Sequence, residues 1–299
     1  MLLRLLEEYN FPVKNLFLFA SKKSIGKETL FKNKNHYIKE LKLNYFENID
    51  FVFFCAGSEV SKEWAMKVKE LGCIVIDNSS YFRMCDESSL IIPEVNFIDS
   101  NSLICNPNCS TIQSVICLNA LKEYGIKRVI YTTYQAVSGS GVKGINALEN
   151  KSDDFYLYNI SKTCIPQIDE ILNNGYTKEE MKMIMETRKI LSLPNLDVTA
   201  TCVRVPVLNS HAVSVIVELE KECSLDMVKE SLAKQEGVIL VDDIPTSIHS
   251  NDNDMVYVGR VRKDLSKTNS FMFYCVADNI RRGAASNALK IALKIIEKM

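Results

Sequence analysis

The run Asn106-Pro107-Asn108-Cys109-Ser110-Thr111-Ile112-Gln113 holds the residue types of a nucleophile site. Pro107 stops a preceding strand, Asn or Ser can cap a helix, and Ile112, Val115, Ile116 and Leu121 follow at roughly helical spacing. This pattern predicts Cys109 at or near a helix N-terminus. The positive end of the dipole and the free N–H groups there favour thiolate, and the same N–H groups could stabilise an oxyanion on an acyl group carried by sulfur. The competing reading is a small buried Cys in a turn, because most of the ten Cys lie in apolar runs. A nucleophilic Cys needs a proton partner. Of the three His, His36 falls in the polar stretch 32–36 and His249 in a loop signal, which leaves His211 at a strand end after Arg204-Val205-Pro206-Val207-Leu208-Asn209-Ser210. The segment Tyr134-Gln135-Ala136-Val137-Ser138-Gly139 runs a strand into a Gly/Ser turn that lets backbone approach a ligand. Arg83 follows a parallel-strand pattern, where a guanidinium can pair with phosphate or carboxylate or simply lie on the surface.

These residues need a frame. A chain of 299 residues suits two domains. With 36 Lys+Arg against 37 Asp+Glu, it has no global attraction to nucleic acid or anionic lipid. Its apolar runs are too short to span a bilayer, its start lacks a signal-peptide core, and the Cys pattern argues against both a disulfide framework and a metal site. A reducing, cytoplasmic setting is expected. Helix-like segments at 2–9 and 62–71 alternate with short apolar runs at 16–20, 50–56, 73–77 and 90–93, and an amphipathic helix closes the chain at 285–298. The alternation predicts an α/β, doubly wound parallel sheet. Strand patterns at 128–137, 198–205, 214–220, 255–261 and 271–276 predict a mixed sheet in an α+β second domain.

Glu179-Glu180-Met181-Lys182-Met183, Arg204-Val205-Pro206-Val207 and Gly283-Ala284-Ala285 join the segments around Cys109 and Gln135 in one order along the chain. Together they resemble the aspartate-semialdehyde dehydrogenase family over nearly the whole length. The resemblance implies a Rossmann-like NADP-binding domain over 1–109 and 280–299, and a catalytic and dimerisation domain over 110–279. It implies NADP-dependent reductive dephosphorylation of L-aspartyl-4-phosphate to L-aspartate 4-semialdehyde through a Cys109 thioester, on the route to Lys, Thr, Met and diaminopimelate. His211 is then the acid/base group and Gln135 holds the acyl intermediate. Arg204 pairs with the substrate α-carboxylate, Glu179 faces its ammonium, and Arg83, Lys182 and Asn108 hold the phosphate. Ser21, Lys23 and Ser24 are expected beside the NADP ribose, and Ser138, Gly139 and Asn279 beside its nicotinamide. Expected partners are the small-molecule substrate, phosphate and a second copy of the chain, as homodimer or homotetramer, with no nucleic acid, membrane or metal.

The sequence also departs from the family. Residues 1–25 contain no Gly, so the first strand and phosphate-cradling Gly-rich turn are missing from the front, and weak NADPH binding is expected of this chain. Val213 stands where the family often has an acid, and the segment 149–159 is short. The rival readings are a related acyl-phosphate reductase, such as N-acetyl-glutamyl-phosphate reductase, and a degenerate non-catalytic homologue.

Overall fold

The computed structural model describes residues 1–98 and 102–298, and these form two compact units. The first comprises 1–89, 98–106 and 285–299; the second comprises 90–97 and 107–284.

In the first unit the apolar strands Phe51–Phe54, Ile74–Asp77 and Leu103–Cys105 pair in parallel. Between the first two lies the helix Ser58–Glu70, closed by Gly72 at φ +89°. Glycine suits that left-handed stop because it has no Cβ to clash. This helix and Ser286–Ile296 both pack on Ile74–Asp77, the latter burying Leu289, Ile291, Ala292 and Ile295, and helix Leu2–Glu8 packs against it in turn. The result is a mixed α/β, Rossmann-like layer. The run 16–20 differs from expectation. Only Leu18–Phe19 is strand, half-buried, and it pairs with Lys34–Lys39 in a separate three-stranded sheet rather than with the parallel sheet. Lys34–Lys39 is one arm of a hairpin with Glu28–Phe31, turned by Lys32 and Asn33 at φ 48° and 60°. His36 therefore sits in a strand, its ring edge-on to Phe31. The run 90–93, which belongs to the second unit, is also shorter than expected: the strand is Ser89–Leu90, and Pro93 opens a helical turn, Pro93–Asn96, as a first-turn proline can.

The second unit is built on a six-stranded mixed sheet ordered Val238–Leu240, Val256–Lys263, Ser270–Ala277, His211–Leu219, Ile126–Gln135, Asp197–Arg204. Period-two burial marks the strands: Val213, Val215, Val217 and Leu219 are buried while Ser214, Ile216 and Glu218 are less so. The outer pair Ile126–Gln135 and Asp197–Arg204 is parallel; His211–Leu219 runs antiparallel to both Ile126–Gln135 and Ser270–Ala277. This topology has one chemical consequence. The C-terminal ends of three strands and the N-terminal end of the fourth share one sheet edge, which gathers Gln135, Arg204, Ala277 and His211.

Candidate active site

Two helices of the second unit are attached at that edge. Helix Cys109–Asn119 begins on Cys109, with Asn108 as N-cap: its Oδ1 accepts from the backbone N–H of Ser110 at 2.9 Å and of Thr111 at 3.3 Å. Such a cap is worth about 1 kcal/mol. Helix Lys178–Leu191 starts with a capping box. Thr177 Oγ1 accepts from Glu180 N–H and Glu180 Oε2 accepts from Thr177 N–H, while Glu180 Oε1 also accepts from Cys202 N–H of the sheet at 3.0 Å. Tyr131 and Thr187 join hydroxyls across the same interface at 3.1 Å. Met183, Ile190 and Leu191 are buried on this helix, each worth about 1.5–3 kcal/mol of burial.

Helix Lys178–Leu191 grips the residue before Cys109 twice. Glu179 Oε1 accepts from Asn108 Nδ2 at 2.8 Å, and Glu186 Oε2 accepts from the Asn108 backbone N–H at 2.6 Å. Glu179 Oε1 also accepts from Gln135 Nε2 at 3.3 Å, and its Oε2 lies 3.2 Å from Lys182 Nζ, which in turn donates to Asp169 at 2.9 Å. Burial opposes ionisation of Glu179. The charge of Lys182 and hydrogen bonds from Asn108, Lys182 and Gln135 outweigh it and hold the carboxyl below the usual range. Burial likewise disfavours the Lys182 ammonium, but Glu179 and Asp169 raise its pKa above the ordinary value.

His211 is fully buried at the start of its strand. Its Nδ1 accepts from the Ala136 backbone N–H at 3.0 Å, and its buried Nε2 has no hydrogen-bond partner among the described residues. Burial, then the nearby Arg204 guanidinium, push its pKa well below the usual imidazole value. Arg204 Nη1 donates to the Ala136 carbonyl at 2.6 Å. Gly139 closes over both groups: a Cβ there would stand 3.0 Å from Arg204 Nη1 and from His211 Nε2. Gln113, one turn into the Cys109 helix, donates to the His211 carbonyl at 3.1 Å and fixes that helix to the strand. Ser138 and Asn279 are both buried and hydrogen-bond each other, and Asn279 Oδ1 also accepts from Ser210 N–H at 2.9 Å. Gly283 lies against Cys109, where a Cβ would come within 2.5 Å of the Cys109 Cβ.

The second unit thus holds Asn108, Cys109, Gln135, Ser138, Gly139, Glu179, Lys182, Arg204, His211 and Asn279. Arg83, Ser21, Lys23 and Ser24 belong to the first unit. Arg83 is buried there and donates to the Asn78 carbonyl at 3.0 Å, in a loop braced by Asp77, which accepts from Ser61 and Ser79. Ser21 and Lys23 are exposed on the turn after Leu18–Phe19. Three of the helix-start N–H groups have partners inside the helix start: those of Ser110 and Thr111 donate to the Asn108 side chain, and that of Ile112 donates to the Asn108 carbonyl. Sequence reading missed Glu186. Its signal was the seven-residue step from Glu179, two helical turns that keep both carboxylates on one face.

Residues 1–102 match the semialdehyde dehydrogenase NAD binding domain, and residues 118–282 match the semialdehyde dehydrogenase dimerisation domain. The chain is 44% identical to an aspartate-semialdehyde dehydrogenase of Aquifex aeolicus and 43% identical to one of Campylobacter jejuni, covering 99% of this chain and 94% and 93% of those relatives. It superposes with a TM-score of 0.95, at 39% identity, on aspartate semialdehyde dehydrogenase II from Vibrio cholerae complexed with ASA, covering 99% of this chain and 94% of that one. The chain belongs to the aspartate-semialdehyde dehydrogenase family.

Proposed function

We propose that this chain reduces L-aspartyl-4-phosphate to L-aspartate 4-semialdehyde with NADPH, as a cytoplasmic homo-oligomer that feeds Lys, Thr, Met and diaminopimelate synthesis. The observation that carries the reading is Cys109 at a capped helix start whose cap residue is held by two buried carboxylates. Cys109 Sγ would attack the acyl carbon, forming the S–C bond as the C–O bond to phosphate breaks. Gln135 would hold the acyl group. Arg204 has five N–H donors and spends one on Ala136, which leaves a planar fork for the substrate α-carboxylate. Lys182 has three donors and uses two on Glu179 and Asp169, which leaves one for phosphate. Glu179, held ionised, would meet the substrate ammonium. His211 would be the acid/base group.

Residues of this chain suit two parts of the cofactor. The buried Ser138–Asn279 amide and hydroxyl pair suits a carboxamide, and the Gly139 backbone leaves space that a Cβ would fill. In the first unit, exposed Ser21, Lys22 and Lys23 with half-buried Ser24 offer hydroxyls and cations with no acid, which favours a ribose phosphate over a free 2′-OH. When bound, NADPH supplies the hydride that reduces the thioester.

The test is phosphate-dependent NADPH formation from aspartate semialdehyde by the full chain. Turnover is expected, and Cys109→Ala should abolish it. Activity that survives in Cys109→Ala overturns the reading.

A further inference from the structure

Ser138 and Asn279 sit in a chain of hydrogen bonds whose direction is fixed at both ends. Asp278, buried just after the strand Ser270–Ala277, anchors one end. Its Oδ1 accepts from the backbone N–H groups of Ile280 at 2.9 Å and Arg281 at 2.8 Å. Its Oδ2 accepts from the Asp252 backbone N–H at 2.8 Å and from Asn209 Nδ2 at 2.9 Å. A carboxylate only accepts, so Asn209 must turn its NH₂ toward Asp278 and its carbonyl oxygen away. That oxygen lies 2.9 Å from Ser138 Oγ and takes the hydroxyl proton. The Ser210 backbone N–H anchors the other end, and it only donates. Asn279 must therefore face it with Oδ1, at 2.9 Å, which leaves Nδ2 to donate to Ser138 Oγ at 3.0 Å. Asn279 Oδ1 also stands 3.2 Å from Ser138 Oγ, but it is the farther acceptor and already holds the Ser210 N–H.

Donor and acceptor capacity then decides what the pair can still offer. A hydroxyl has one proton and two lone pairs. The Ser138 proton goes to Asn209 and one lone pair to Asn279, so Ser138 has a lone pair left and no proton. Asn279 Nδ2 carries two N–H bonds and spends one on Ser138, so it has a donor left. Every residue of this chain of bonds belongs to the second unit.

We infer that Asp278, acting through Asn209, makes Ser138 a hydrogen-bond acceptor toward the cofactor and so selects a primary carboxamide on the pyridine ring. This deepens the reading of Ser138 and Asn279 as nicotinamide contacts and rests on it. A carboxamide supplies an N–H for Ser138 Oγ and an oxygen for the Asn279 N–H. A carboxylate at the same ring position supplies two acceptors. One of its oxygens would face the Ser138 lone pair with no proton between them, an unmade bond in a buried place. Asp278 and Asn209 are positioning residues in this scheme: they set which way the Ser138 proton points.

The probes are oxidised NADP and its analogue with a carboxylate in place of the carboxamide. Their Kd values are read by ligand-observed NMR titration of the full-length chain without substrate, so no turnover is involved. The parent should favour NADP by at least about tenfold. Asp278→Asn should reverse the chain of bonds. The amide keeps its oxygen on Ile280 and Arg281 and turns its NH₂ to Asn209, at the cost of the Asp252 bond. Asn209 then flips and donates to Ser138 Oγ, which releases the Ser138 proton to the ligand. Asn209→Ala releases the same proton with no change of charge, and a bound carboxylate is a stronger acceptor for it than the Asn279 amide oxygen. Both variants should bind the carboxylate analogue more tightly than the parent does and narrow the preference for NADP to about threefold or less. General damage to the site would not produce that gain. If Asp278→Asn is poorly folded, Asn209→Ala decides alone. Equal Kd values in the parent, or a preference unchanged in Asn209→Ala, overturn the inference. So does a shift confined to Asp278→Asn, which loss of charge would explain. Ser138→Ala separates the inference from the reading beneath it: unaltered NADP affinity there means that Ser138 does not meet the nicotinamide, and overturns both.

Discussion

Gly283→Ala puts a methyl group where Cys109 already stands. The added Cβ would lie 2.5 Å from the Cys109 Cβ and 3.1 Å from its Cα, against an ordinary contact of at least 3.4 Å, a shortfall of about 0.9 Å at the nearer atom. Neither side yields easily. Gly283 N–H donates to the Asp278 carbonyl, and Asp278 Oδ1 accepts from the N–H groups of Ile280 and Arg281. Arg281 is tied to Asp254 at 2.9 Å and to Asp252 at 3.2 Å, and buried Arg282 to buried Glu94 at 2.9 Å. On the other side, Asn108 is held by Glu179 and Glu186. The strain therefore falls on the Cys109 side chain or is shared, at about 1–3 kcal/mol of overpacking. A displacement near 1 Å of a reacting atom costs about 10²-fold, which is about 2.7 kcal/mol of transition-state stabilisation. The assay is kcat at saturating semialdehyde, phosphate and NADP, together with urea unfolding and the alkylation rate of Cys109 read by peptide mass. A variant with kcat within about threefold of the parent and an unshifted unfolding midpoint would falsify the claim that this contact sets the nucleophile's position.

Glu179→Gln tests the ionised hub through pH. Glu179 has its pKa lowered on folding, so its contribution to stability is present above the ordinary carboxylate range and is lost as pH falls through the lowered value. The variant should melt below the parent at neutral pH, with the gap closing in acid; a gap independent of pH contradicts the assignment. Glu186→Ala leaves the buried Asn108 N–H unsatisfied and should cost about 1–3 kcal/mol in urea unfolding, with Glu186→Gln recovering part because its carbonyl can still accept. If Gln and Ala are equivalent, acceptance by Glu186 is not what matters. Lys23→Glu exchanges a cation for an acid on the exposed turn and should lower the NADP-over-NAD ratio of kcat/KM by at least about tenfold. An unchanged ratio removes Lys23 from cofactor choice.

The sequence carried the frame where local punctuation and burial pattern agreed. Pro107 and Asn108 marked the start of the Cys109 helix, Gly72 marked the end of another, and five runs of β-branched and aromatic residues mapped onto the strands of the mixed sheet. It failed where apolar residues face solvent. Leu30 and Tyr37 are 64% and 56% exposed, so residue polarity in the 28–39 hairpin does not follow its alternating burial, and 16–20 reads as more buried than it is. In the site, side-chain types and spacing suggested Cys109 and His211. They could not reveal that Asn108 Oδ1 accepts from the N–H groups of Ser110 and Thr111, nor that the Ala136 N–H donates to the His211 ring, since both depend on side-chain rotamers or on contacts between residues distant in sequence. Glu186 was visible only as one more Glu in a charged helix.

The fourteen residues of Lys178–Leu191 place Glu179, Lys182 and Glu186 by rotation alone. Each residue advances the helix by about 100°. Gain or loss of a single codon between 179 and 186 would therefore turn Glu186 about a quarter-circle from Asn108 while leaving Glu179 in place. Point substitutions across the exposed face of this helix should be broadly tolerated, whereas length changes inside it should not. The helix works as a ruler, and its length in residues is a heritable constraint apart from their identities.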